Sequence, residues 1–224
     1  MTATKSYYLI RILSSFSFSL MAIASSVYRL QVVGLSPFEL VLVGTVLELS
    51  YFLAEIPTGV VADVYSRKLS VIIGYILIGL GFIVEGLFPS LTAVLLAQVI
   101  WGVGATFLSG AESAWLADEV GESRLGPILL RGHQLASLMG IIGILLAIPL
   151  GSYDLGFCFV LAGLLSILLG LSLIKFMPET AFKRIPQEER SSFQKLFNTF
   201  QGGLNFVRVS SLLPLLFSSK SSLD

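Results

Sequence analysis

The sequence predicts an all-α integral membrane protein with six transmembrane helices, and three observations carry that prediction. Of 224 residues, 55% are hydrophobic and only 12% charged, where a soluble domain of this size carries about a quarter charged residues. The deficit runs the length of the chain, with a mean hydropathy of +0.89, so it does not mark a soluble domain on a single anchor. A helix needs about 20 mostly apolar residues to cross the hydrocarbon core. Six stretches meet that requirement, roughly 7–29, 38–60, 70–88, 91–116, 133–152 and 155–176.

Each predicted helix has local punctuation. The first apolar run is too long for a cleaved signal peptide and precedes no soluble domain. Ser36-Pro37 opens the second helix as a helix N-terminus prefers. A charged loop separates the second from the third, Pro89-Ser90 the third from the fourth, and Gly151-Ser-Tyr-Asp154 the fifth from the sixth. Glycine pairs such as Gly79/Gly81, Gly102/Gly104 and Gly140/Gly143 allow close approach of helix backbones, as bundle packing alone requires. Residues 1–178 therefore read as one six-helix unit.

Past Pro178 the character changes. Residues 179–208 carry Glu179, Lys183, Arg184, Glu188, Glu189, Arg190, Lys195 and Arg208, which places them in water or at the lipid surface. Phe193, Leu196, Phe197, Phe200, Leu204 and Phe206 give this loop a partly helical apolar spacing that suits an amphipathic interfacial helix. Within residues 209–224, the run from Leu212 to Phe217 is too short to span.

Several function classes are excluded. Net charge is zero and no basic patch suits nucleic acid. A single cysteine, Cys158, cannot form an internal disulfide, and with one histidine, His133, no metal-ligand set exists; both read as packing residues. No phosphate loop, nucleophile elbow, zinc-protease helix or dinucleotide fingerprint interrupts the helices, so neither an enzyme nor a cofactor is indicated. Positive residues set the orientation. With a cytoplasmic N-terminus, the inner side receives Lys5, Arg11, Arg67, Lys68, Arg124, Arg131, Lys175 and the basic residues of the 179–208 loop, and the outer side Arg29 alone. The reading is a multi-pass protein of the cell membrane with the N-terminus and that loop inside.

The stretch Glu55-Ile-Pro-Thr-Gly-Val-Val-Ala-Asp-Val-Tyr-Ser-Arg-Lys68 stands at the mouth of the second hairpin. It resembles the signature loop between helices 2 and 3 of major facilitator superfamily (MFS) transporters. Gly59, Asp63, Arg67 and Lys68 keep the family pattern, whereas Val64 stands where a basic residue is usual and Ser66 where glycine is. Asp63 can cap a helix end or pair with a cation. The resemblance implies that this cluster latches the cytoplasmic side in one conformation and releases it in another; the bland alternative is a topology signal balanced by a local aspartate. In the fourth helix, Gln98-Val-Ile-Trp-Gly102 and Ser109-Gly-Ala-Glu112 to Asp118 resemble the family's pattern, with Asp118 the implied partner of Arg67. Gln98 replaces the arginine tied to proton coupling, and the fifth helix lacks the glycine-proline signature of many antiporters. The Glu55-Ile-Pro-Thr58 flavour is similar to drug-efflux branches.

The resemblance implies one half of a twelve-helix MFS-type bundle, with substrate bound between halves near the midplane. Charges within a bilayer cost a few kcal/mol and normally face a cavity or a partner. Glu48, near the middle of the second helix, either lines the path for a proton or cationic solute or holds helices together. Glu55, Glu112, Gln98 and Arg11 complete the candidate path, and Glu85 is expected to reach water. The implied function is transport of a small solute by alternating access, with efflux as the leading direction. The polar ending favours a truncated product that lacks its C-terminal half; a natural half that pairs with a second copy is the alternative. A non-transporting membrane fragment, or a structural or regulatory partner of a full transporter, is the competing reading.

Overall fold

The computed structural model describes residues 1–182. Every regular element among them is helical: α1 (Ala3–Val27), continued by a π-helical turn (Tyr28–Val32), α2 (Pro37–Val64), α3 (Arg67–Leu87), α4 (Leu91–Leu108), α5 (Ala111–Val120), α6 (Glu122–Tyr153) and α7 (Leu155–Phe176). With α4 and α5 taken together, six spans are long and apolar enough to cross a membrane. The described residues belong to one compact unit. The amphipathic stretch and the 209–224 segment lie outside the described residues.

Helix starts are chemically marked. Ser36 and Glu39 form a reciprocal capping box ahead of Pro37, with the Glu39 carboxylate 2.7 Å from the Ser36 amide. Ser66, Ser90 and Asp154 each accept a backbone N–H from the first turn of the helix that follows, which satisfies a donor that the helix itself cannot.

Two boundaries differ from the sequence expectation. The fourth span is not continuous, because Gly110 adopts φ +70° and separates α4 from α5. Only glycine takes that conformation without cost. The fifth span starts at Glu122 instead of near 133, so Arg124 and Arg131 ride on a helix and not in a loop. A helix satisfies its own backbone, so it can continue past the apolar zone into water.

Packing follows side-chain size. The tightest seam joins α3 to α7, where a Cβ on Gly79 would stand 2.5 Å from the Gly163 carbonyl, and one on Gly156 would stand 2.6 Å from that of Gly86. Lipid tails are as apolar as leucine, so helices associate in a membrane through close contact, and glycine permits it. On α1, Ser15 and Ser19 lie 3.1 and 3.2 Å from where a Gly140 Cβ would stand on α6. At the other extreme, α2 is the least covered span, with 11% of its apolar window buried against 50% for α3.

Ala3, Arg67, Val120 and Phe176 share one end of the bundle, here called basal, where Ser6 Oγ donates to the Phe176 carbonyl at 2.7 Å. The opposite end is called distal.

Candidate functional site

A cavity of about 550 Å³ opens among α1, α2, α3, α4, α5 and α7, within the range of small-molecule sites. α1 contributes Arg11, Ser14, Ser15 and Phe18 on successive turns of one face. α3 supplies Tyr75, Ile78 and Phe82 at three- and four-residue spacing, the repeat that aligns side chains on a helix. Trp101, Ser109 and Glu112 close the far wall, with Tyr51 of α2 at its edge.

The lining divides into a charged floor and an aromatic wall. Tyr75 Oη donates to Glu112 Oε1 across α3 and α5. Glu112 occupies the first turn of α5, where the helix dipole favours a carboxylate. Arg11 shares the floor with Glu112 without closing an ion pair to it: Nη2 lies 3.4 Å from His133 Nδ1, and the buried Nε has no hydrogen-bond partner among the described residues. Trp101 stacks at a tilt against Phe82 and Phe18, with ring centroids 5.8 and 6.2 Å away.

Arg11 and Glu112 thus meet in the cavity, and the other candidates lie elsewhere. Glu48 is exposed and outside the lining. Glu55 is also exposed, and its Oε1 accepts from Ser109 Oγ at 2.8 Å. Gln98 is buried at the distal end, where Nε2 donates to Glu85 Oε2 at 2.8 Å. Glu85 does not reach water as expected; it is 2% exposed. Arg29 grips it with Nε at 2.7 Å and Nη2 at 3.2 Å, and Tyr28 Oη donates to its backbone carbonyl at 2.7 Å. The π-helical turn carries Tyr28 and Arg29, neighbours that an α-helix would aim about 100° apart, yet both reach Glu85. His133, expected to be a packing residue, is exposed beside Arg11, while Cys158 is buried.

At the basal end Arg67 forms an ion pair with Asp118, and the same nitrogen donates to the Ala114 carbonyl at 2.8 Å. Lys68 Nζ donates to the Ile174 carbonyl at 2.8 Å. Asp63 is half-buried and forms no ion pair among the described residues. A Cβ on Gly59 would meet nothing within 4 Å.

Sequence reasoning missed a strap that follows α7. Glu179 accepts from Ser66 Oγ at 2.6 Å and from the Lys68 amide at 2.9 Å, capping α3. Trp115 Nε1 donates to the Pro178 carbonyl at 2.6 Å. Glu119 accepts the amides of Thr180 and Ala181 at 2.6 and 2.8 Å, and the Phe182 ring lies 5.8 Å from the Arg67 guanidinium. The acidic residue just past Pro178 was the available signal; its partner could not be read from spacing.

Six membrane-length spans around a cavity with a charged floor define a polytopic helical membrane protein. The family model of the Major Facilitator Superfamily matches residues 7–221, and the chain belongs to that superfamily. An uncharacterized MFS-type transporter of Bacillus subtilis (strain 168), YxaM, is 30% identical over 128 residues, which are 57% of this chain and 32% of the relative. A crystal structure of a POT family transporter in complex with a thioalcohol-conjugated peptide superposes with a TM-score of 0.67 at 16% identity, covering 99% of this chain and 48% of that one. A mutant peptide transporter POT in complex with sulfate gives 0.63 at 16% identity, with coverages of 94% and 46%. At such identity the likeness is one of fold. The chain spans about a third of the curated relative and just under half of the solved transporters.

Proposed function

We propose that the chain is the N-terminal half of a transporter that moves a small solute by alternating access. The carrying observation is the cavity itself, which sets an arginine, a glutamate and an aromatic wall between spans. Polar groups at that depth are costly unless they face water or a ligand. A purely structural partner has no use for them, which disfavours the non-transporting reading. A second six-helix unit, either a C-terminal half or another copy, completes the path and covers the exposed faces of α2 and α6. The basal end is cytoplasmic on the distribution of basic residues, the membrane is that of the cell, and export is the favoured direction.

In this reading Arg67 and Asp118 fix the basal ends of α3 and α5, and Asp63 is the carboxylate left to engage the second unit. Breaking the pair shifts the population from outward- to inward-open. The test labels Ser14→Cys, on a Cys158→Ser background, with a membrane-impermeant maleimide in native membranes. Arg67→Ala should lower labelling from outside and raise it from the cytoplasmic side. Equal labelling from both sides with and without Arg67 would refute the latch.

A further inference from the structure

We infer that the cavity takes a small amphipathic monoanion, a carboxylate or sulfonate on an aromatic or apolar body, with Arg11 as its anchor. The inference rests on the transport reading and names the solute class of that same cavity.

Arg11 carries unspent hydrogen-bonding capacity. Among the described residues the ion pairs are Arg29 with Glu85 and Arg67 with Asp118, so the Arg11 guanidinium faces no carboxylate within pairing distance. Among the described residues its Nε is buried without an acceptor, and its one side-chain hydrogen bond is the long approach to His133, an uncharged ring nitrogen when it accepts. An orphaned buried donor on a cation is costly. A planar guanidinium is matched by a planar carboxylate or by two sulfonate oxygens, which take two donors at once.

The other charge of the cavity is already engaged. Glu112 accepts from Tyr75 and sits at the N-terminus of α5, so the demand for a ligand cation is lower than the demand for an anion. Ser15 Oγ is spent on the Ala136 carbonyl at 2.6 Å, whereas Ser14, one turn from Arg11, lines the space. Beyond the charged floor the wall is Phe18, Ile78, Phe82 and Trp101. That wall gives an apolar body surface to bury and tilted rings to stack on. A small inorganic anion would leave it unused.

The experiment uses the full 224-residue chain in lipid nanodiscs and three isosteric probes: 6-fluoro-2-naphthoate, its neutral carboxamide and its aminomethyl cation. Binding is read by fluorine NMR line broadening against empty nanodiscs, and circular dichroism reports the fold of each variant. The naphthoate should bind about tenfold more tightly than the other two. Arg11→Gln should bring it down to the level of the carboxamide and leave the carboxamide unchanged, while Arg11→Lys should retain part of the preference. A cation or carboxamide that binds as well as the naphthoate would overturn the anion assignment and leave the cavity as the transport site. An undiminished naphthoate in folded Arg11→Gln and Arg11→Lys would overturn the role of Arg11. Failure of all three probes to bind above empty nanodiscs would overturn the cavity as a solute site, and with it both readings.

Discussion

The distal and basal ends of the bundle each carry an arginine paired with a carboxylate, and the two pairs are built differently. At the distal end the Glu85 side chain is 3% exposed and that of Arg29 17%, and donors from the π-helical turn and α4 converge on one carboxylate. At the basal end the Asp118 side chain is 30% exposed and that of Arg67 15%, and Arg67 keeps a buried Nε with no partner among the described residues. The distal set is closed: each member has its acceptor or donor, and water has little access. The basal set is open on its aspartate side, where solvent screening weakens the pair and lets Asp118 be exchanged for another carboxylate at smaller cost. The difference teaches that charge at a helix end is compatible with either a fixed joint or a releasable one, and that burial decides which.

Breaking the distal set should therefore cost most. Glu85→Ala leaves the partly buried Arg29 without its counter-ion and the buried Gln98 without its carboxylate acceptor, with an expected loss of about 3 kcal/mol. Thermal unfolding of the purified chain in detergent measures it; a loss as small as that of the basal variants would erase the contrast. Glu179→Ala comes next. It removes the carboxylate that accepts from the Ser66 hydroxyl and the Lys68 amide at the start of α3, at about 1 kcal/mol, and amide exchange at the start of α3 should rise while the rest of α3 stays protected. Arg67→Ala should do least to stability, under about 1 kcal/mol, although it has the largest effect on sidedness of labelling. An Arg67→Ala chain destabilised as much as Glu85→Ala would mean that the basal pair is a structural joint as well.

Hydropathy made the six spans legible because a bilayer imposes length and apolarity on every crossing segment. Capping residues were legible for the same local reason: Ser36, Ser90 and Asp154 act on amides two or three residues away. Depth was not. Glu85 lies near a helix end where water is close along the chain, but the turn at Tyr28–Val32 folds Arg29 over it. The break at Gly110 was hidden because apolar composition continues through it, and a glycine in a membrane helix is commonplace. In the cavity, Arg11 and Glu112 stood out as charges in apolar runs. Tyr75 and Trp101 did not, since an aromatic residue in such a run faces lipid as readily as a cavity. Glu48 stood out for the same reason as Arg11, but it projects from the least covered span.

The cap on α3 also has a meaning in time. Ser66 and the Lys68 amide receive their carboxylate from a residue 113 and 111 positions later in the chain. During synthesis α3 enters the membrane with only the Ser66 hydroxyl on the Leu69 amide at its start, and the Lys68 amide waits through four further helices for Glu179. Completion of the sixth crossing is thus registered at the start of the third.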